Sequence, residues 1–300
     1  MNASVVLEDE ALRDGLQAES IVLETAQKLH FFELLVKAGF KRIQAGSFVH
    51  PKVVPQMADS DELIKQVKDT PGVLLTGLIL NRKGLERALD CGLGHVSMSA
   101  SVSDAHSRRN VKRPAQEAIA DMVGLIKEAA AAGMTVRAGA QCAFGCVYQG
   151  AVDPDFVLAT LKSMAAAGAS EVNLADTTGM AHPAQVSQLV ERVRQELPEL
   201  EVSLHLHDTR GLGMANLYAG WQAGAGIFDV ATGGLGGCPF VKGAAGNLPA
   251  EDVVNLMDSM GVETGLNLEA LCEAVKYLGT CLGRQMPGRM CRVIESLGHA

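Results

Sequence analysis

The feature that most constrains this chain is a repeat of short β-branched runs, each followed by a stretch with helical apolar spacing. Eight such runs occur: Val5–Glu8, Arg42–Ala45, Val73–Leu80, His95–Ser101, Thr135–Gln141, Glu171–Ala175, Glu201–His207 and Ile227–Ala231. Helical spacing between them predicts, among others, Glu24–Ala38, Pro114–Ala132, Asp155–Ala167 and Ala184–Glu196, several ending in the Ala-Gly signal found just past a helix C-terminus. Such alternation gives parallel strands joined by helical crossovers. Eight units without a long linker favour closure, so the expected fold class is α/β, a TIM (β/α)8 barrel. An open doubly wound sheet would more often place a glycine-rich phosphate turn after its first strand, where this chain has Arg13-Asp14-Gly15.

A length of 300 residues suits one such barrel, and residues 1–300 are read as a single domain with 262–300 as a C-terminal helical extension, its helix at Leu266–Leu282. A hydrophobic fraction of 48% and a charged fraction of 20% argue against extended disorder. A net charge of −8 offers no basic field for a phosphate backbone, so nucleic acid is not an expected partner. No charged and apolar leader precedes Ser4, and no apolar run reaches the roughly 18 residues of a membrane span, so a cytoplasmic location without a membrane partner is expected. The seven cysteines are scattered, which makes reduced thiols the default, and Cys142 and Cys146 lack a second pair at zinc-site spacing.

In this architecture chemistry collects at the C-terminal ends of the strands. Arg13 and Asp14 follow the first strand, His205 and His207 close the seventh, and Cys238 and Asn247 lie in the loop after the eighth, which closure sets beside the first. Residues two apart on a strand share a face, so the two histidines project together. An isolated His-x-His is more often a satisfied polar strand end than half a metal site; Asp14 and Asn247 in the same sector reverse that weighting. Two imidazoles, a carboxylate and an amide oxygen form a mixed, moderately hard set that suits octahedral Mg²⁺ or Mn²⁺ better than tetrahedral zinc. Arg13 reads as a fixed guanidinium for oxyanion character on a carbonyl, against the alternative of a structural ion pair. The glycine-rich segment Gly233–Asn247 reads as a mobile loop, in which Cys238 is either a proton donor or acceptor or an incidental small residue. A phosphate cradle would end in Gly-Lys-Ser/Thr, which is absent.

Taken together, Arg13-Asp14-Gly15-Leu16-Gln17, the stretch Ser47–Met57, His205-Leu206-His207-Asp208-Thr209 and the Gly-Leu-Gly-Gly-Cys-Pro loop through Asn247 resemble the 3-hydroxy-3-methylglutaryl-CoA lyase family. These are metal-dependent barrel lyases related to isopropylmalate and homocitrate synthases. The resemblance spans about Val5 to Leu266. It implies that Asp14, His205, His207 and Asn247 ligate the cation, that Arg13 polarises the thioester carbonyl and that Cys238 acts in proton transfer. It further implies that Asp176 orients substrate or Arg13, and that Asn110, beside Arg108 and Arg109, lies near the CoA moiety of an acyl-CoA substrate. The implied reaction is a retro-aldol cleavage, and barrels of this kind often form homodimers or higher homo-oligomers.

The chain departs from the family pattern at the rim. Gln44 stands three residues before Ser47 in a stretch where the lyases usually carry a Glu, Arg210 stands in place of a tyrosine, and Asn173 in place of a serine. Gln44 keeps an acceptor but removes a charge. With Ser47, these positions are read as substrate-binding, and their alteration brings in a related thioester such as citramalyl-CoA as an alternative substrate. Two other classes stay open: a condensing transferase, which typically has an acid after Arg-Asp and extra C-terminal domains, and a barrel that binds metal and acyl-CoA without turnover.

Overall fold

The computed structural model describes residues 3–238 and 241–297, with 238 and 241–244 described by backbone alone. Eight parallel strands pair in chain order and close: β1 (Val6–Asp9), β2 (Arg42–Ser47), β3 (Leu74–Ile79), β4 (His95–Ser101), β5 (Thr135–Gln141), β6 (Glu171–Ala175), β7 (Glu201–His205) and β8 (Ile227–Val230). Closure is made by β1 on β8, with Val6, Leu7, Glu8 and Asp9 opposite Ile227, Phe228, Asp229 and Val230. The expected TIM barrel is therefore present, with three strands matched to the residue and the others within a few residues of their expected ends.

Helices run outside the strands: α1 (Thr25–Ala38), α2 (Ser60–Val67), α3 (Arg82–Asp90), α4 (Asp104–Asn110), α5 (Ala115–Ala131), α6 (Pro154–Ala166), α7 (Pro183–Glu196) and α8 (Gly213–Gln222). Local chemistry sets their ends. Asn81 accepts the Gly84 N–H at the start of α3, Pro154 and Pro183 occupy first turns where a missing N–H costs nothing, and Gly39 ends α1 in the left-handed region at φ 104°. Each helix buries one face, as α5 does with Ile119, Met122, Leu125, Ile126 and Ala129. At about 25 cal/mol per Å² of apolar surface, such faces are the main stabilising term of the outer layer.

Past β8, a two-stranded antiparallel hairpin of β9 (Gly237–Cys238) and β10 (Val241–Ala245) precedes α9 (Ala250–Ser259), α10 (Leu268–Leu282) and α11 (Met290–Leu297). The C-terminal helical extension is thus present, and α10 packs along α1 on the barrel's outside. Cys272 and Cys291 are joined in a disulfide between α10 and α11, which corrects the expectation of reduced thiols throughout. Their Cα atoms stand 5.3 Å apart because α11 folds back over α10, a proximity that a separation of 19 residues conceals. Among the described residues no helix is long and apolar enough to cross a membrane.

The barrel interior carries charge as well as packing. Arg137, 2% exposed, faces four carboxylates: Glu8 at 2.9 Å, Glu171 at 3.2 Å, Glu10 at 3.9 Å and Asp229 in direct contact. Arg42 adds contacts of 2.8 Å to both Glu8 and Glu171. Buried charges persist only when paired, and this lattice fixes strand register from the inside while leading up to the rim.

Candidate active site

Directly after β1 the backbone does not make a simple turn. Residues Ala11–Gly15 wind as a single π-helical turn, in which the Glu10 carbonyl accepts the N–H groups of Arg13 at 3.1 Å and Gly15 at 3.0 Å. That winding returns the Arg13 side chain over the barrel mouth. Each nitrogen of its guanidinium has one partner: Nε donates to Gln44 Oε1, Nη1 to Asp14 Oδ1, and Nη2 to Glu10 Oε2 at 2.5 Å. Gly15 fits because Leu235 of the loop after β8 lies against it; a Cβ there would meet the Leu235 Cβ at 2.7 Å.

Three ligand-type atoms converge beside Arg13. His205 Nε2 and His207 Nε2 are 3.0 Å apart, and Asp14 Oδ2 lies 4.0 Å from the first and 3.9 Å from the second. Although β7 ends at His205, His207 is held in line by an isolated bridge to Asn247. His205 Nδ1 meets Asp229 Oδ2 at 3.0 Å, and Asp229 is itself gripped by Arg137, so the interior charge lattice orients the imidazole and turns Nε2 toward the rim. Two nitrogen lone pairs and a carboxylate facing one point, with mutual distances near those between neighbouring ligands of one cation, fit a divalent metal ion.

Asn247 is adjacent but faces the other way from expectation. Its Nδ2 donates to Asp14 Oδ2 at 2.8 Å and to the Leu235 carbonyl at 3.1 Å, while its buried Oδ1 has no hydrogen-bond partner. Ligation through the oxygen requires the amide to turn over, giving up the hydrogen bonds from Nδ2 to both Asp14 and Leu235.

The electrostatics are those of a site built for charge. Burial alone would raise the Asp14 carboxyl, but Arg13 and the two imidazoles outweigh it and hold Asp14 well below the usual carboxylate range. Burial, reinforced by the neighbouring His205, pushes His207 down to about 4, which keeps its ring neutral and available as a ligand. For His205 burial is outweighed by Asp229, and its pKa rises. Burial pushes the Glu10 carboxyl up to about 8, while the neighbouring guanidiniums of Arg13 and Arg137 favour its charged form.

The remaining expected residues divide. Gln44 is fully buried and bonded to Arg13, with its Nε2 free of any hydrogen-bond partner. Ser47, later on β2, is also buried, and its Oγ has no partner. Asp176 turns its carboxylate into its own loop, accepting from Met180 N at 2.8 Å and Ala181 N at 3.1 Å, and burial pushes it up to about 6. Asn173 donates to Ser203 on the next strand at 3.1 Å. Arg210 braces the loop after β6 by donating to the carbonyls of Thr178 at 2.9 Å and Gly179 at 2.6 Å. Asn110 stands apart at the end of α4, lining a cavity of ≈ 750 Å³ with Asn81, Arg82, Arg113, Ser101 and Gln141 over the ends of β3 to β5. The Cys238 side chain, expected in proton transfer, lies outside the described residues; its backbone pairs with Val241.

Sequence reasoning missed Glu10 and Asp229, the two carboxylates that grip Arg13 and His205. Asp229 carried a usable signal, an acid in the middle of an apolar strand, whereas Glu10 looked like one more member of an acidic run, Glu8-Asp9-Glu10. All three of those side chains are buried completely.

Comparison with known proteins agrees with this geometry. The HMGL-like family profile matches residues 4–278. The chain is 40% identical to the (R)-citramalyl-CoA lyase of Chloroflexus aurantiacus, covering 95% of this chain and 93% of that protein. It is 34% identical to a hydroxymethylglutaryl-CoA lyase of Bacillus subtilis, covering 97% and 98%. Among solved structures, the hydroxymethylglutaryl-CoA lyase of Pseudomonas aeruginosa superposes with a TM-score of 0.94 at 36% identity, covering 100% of this chain and 99% of that one. An HMG-CoA lyase from Acinetobacter baumannii in complex with coenzyme A and 3-methylmalate gives a TM-score of 0.91 at 34% identity, covering 97% and 95%. With a profile spanning most of its length and relatives matched nearly end to end, this chain belongs to the HMGL-like family.

Proposed function

We propose that this chain is a divalent-metal-dependent carbon–carbon lyase that splits a 3-hydroxyacyl-CoA by retro-aldol cleavage, with 3-hydroxy-3-methylglutaryl-CoA as substrate and acetyl-CoA and acetoacetate as products. The observation that carries the reading is the convergence of Asp14, His205 and His207 beside the guanidinium of Arg13 at the mouth of a closed barrel. Asp14, His205, His207 and, with its amide turned over, Asn247 would hold Mg²⁺ or Mn²⁺, which when bound supplies Lewis acidity that eases loss of the substrate hydroxyl proton.

The residues of the chain then divide the work. As the C3 hydroxyl gives its proton to water at the barrel mouth, that oxygen becomes a carbonyl, the C2–C3 bond breaks, and its electron pair passes into the thioester as an enolate. Arg13 stabilises the enolate oxygen, which carries charge that the ground-state carbonyl does not. C2 then takes a proton, for which Cys238 Sγ is the proposed carrier on the strength of its place in the loop alone. The cavity lined by Asn110, Asn81, Arg82 and Arg113 has the size and the donors to receive part of the CoA moiety. We place the enzyme in the cytoplasm, in line with its bacterial relatives.

A second reading, citramalyl-CoA as substrate, is favoured by the 40% identity to the Chloroflexus enzyme and by the family departures at Gln44, Asn173 and Arg210. That substrate has one methylene fewer between the carbinol carbon and the carboxylate, and its co-product is pyruvate. Incubation of the metal-loaded protein with both thioesters separates the readings. Acetyl-CoA with acetoacetate supports the first, acetyl-CoA with pyruvate supports the second, and no acetyl-CoA from either overturns the lyase function.

A further inference from the structure

Arg13 has two carboxylates and one neutral amide around it, and the three are not equivalent. Asp14 faces Arg13 through Oδ1, but its Oδ2 points to the two imidazoles and to Asn247, so its charge is committed to the proposed cation. Gln44, at the position where family members usually place a glutamate, offers only the dipole of Oε1 to Arg13 Nε. The carboxylate left to Arg13 is Glu10, 2.5 Å from Nη2 and fully buried.

The placement of Glu10 is rigid from both sides. Its N–H donates to the Val230 carbonyl at 2.7 Å, continuing the β1–β8 pairing by one residue, and its own carbonyl receives the Arg13 and Gly15 N–H groups that close the π-helical turn. The same residue therefore starts the turn that swings Arg13 over the barrel and supplies the anion that catches its guanidinium. Behind it Arg137 stands 3.9 Å from Glu10 Oε1, so the carboxylate bridges the interior lattice to the rim.

We infer that Glu10 is the positioning residue for Arg13, taking over from outside β2 the charge that a glutamate at position 44 would supply, so that Gln44 is a relocated charge and not a lost one. This rests on the reading of Arg13 as the cation that faces the thioester. It accounts for an acid buried at the barrel mouth, and it separates this chain from a degenerate barrel: on this account, adding a carboxylate at position 44 alone crowds Arg13 between Glu10, Asp14 and a third acid and harms turnover.

The test is a charge relocation with three variants: Glu10→Gln, Gln44→Glu and the two combined. With the thioester that the wild type cleaves best, Glu10→Gln is expected to lower kcat by about tenfold to a hundredfold with KM changed less than about threefold, the pattern of a misaligned catalytic group. The combined variant is expected to recover kcat to within about fivefold of the wild type, and Gln44→Glu alone to fall below it. A structural role for Glu10 would lower melting temperature in both Glu10 variants without this rescue. Near-normal kcat in Glu10→Gln, a folded combined variant no faster than Glu10→Gln, or a rise in kcat in Gln44→Glu each overturns the inference. If Glu10→Gln does not fold, the combined variant and Gln44→Glu decide by the same outcomes. If the wild type cleaves no thioester, it is the lyase reading that falls. Crystal structures then decide the positioning claim: Arg13 is expected to leave its place in Glu10→Gln and return in the combined variant, and an unmoved guanidinium in Glu10→Gln overturns it.

Discussion

Arg13 is the residue whose role the geometry defines most narrowly. Each of its three guanidinium nitrogens meets a different partner, Gln44, Asp14 and Glu10, and only a planar fork can do this. A lysine retains the charge but offers one ammonium. Arg13→Lys is accordingly expected to cut kcat by roughly 10²–10³-fold, as removal of an oxyanion donor does, while leaving metal content unchanged. Steady-state kinetics paired with elemental analysis checks both halves, and near-normal turnover would remove Arg13 from the chemistry. At this scale the sequence was informative where two-residue strand periodicity or a local motif applies, as for His205, His207 and Asp14. It was blind to Glu10, because the first strand was read as ending at Glu8, which left Glu10 outside it. The direction of the Asn247 amide is likewise set by its contacts to Asp14 and Leu235, residues distant in the chain.

At the scale of elements, the barrel strands and major helices were legible because hydrophobic period and glycine stops are local signals. The segment after β8 was not. Its glycines suggested mobility, yet several are there for close packing: a Cβ on Gly246 would lie 2.5 Å from backbone atoms of Gly236 and Gly237, where nothing can yield. Gly246→Ala is expected to open that approach, displace Asn247, and lower turnover at least about tenfold with the barrel's far-UV circular dichroism retained. Unchanged turnover would show that the hairpin does not position the site.

Helix α9 gives a pH test. Glu251 is fully buried, accepts the Gly233 N–H at 3.0 Å, and is pushed by burial up to about 7 from its ordinary 4.5. An acid whose pKa is raised on folding contributes most below its unfolded value, and that contribution is lost as pH rises through the folded value. Glu251→Gln keeps the acceptor and removes the titration. The variant should gain stability relative to the wild type as pH rises from about 4.5 to 8, by at most roughly 3 kcal/mol, read from denaturant midpoints. A gap that does not change with pH would contradict this.

The whole molecule supplies what neither residues nor elements can. Asp14 follows β1, the imidazoles end and follow β7, and Asn247 lies beyond β8; they meet because β8 pairs with β1 and ends the strand cycle where it began. Closure could be read from the count of eight units, but the buried lattice of Arg42 and Arg137 with Glu8, Glu10, Glu171 and Asp229 could not, since its members come from strands remote in sequence. The disulfide between Cys272 and Cys291 has the same origin in the packing of α11 on α10. One measurement bears on the central claim more directly than any assay: anomalous diffraction at the manganese edge from crystals of the protein grown with Mn²⁺. The account predicts a single strong peak bounded by Asp14 Oδ2, His205 Nε2 and His207 Nε2. Density without manganese between those three side chains would contradict it.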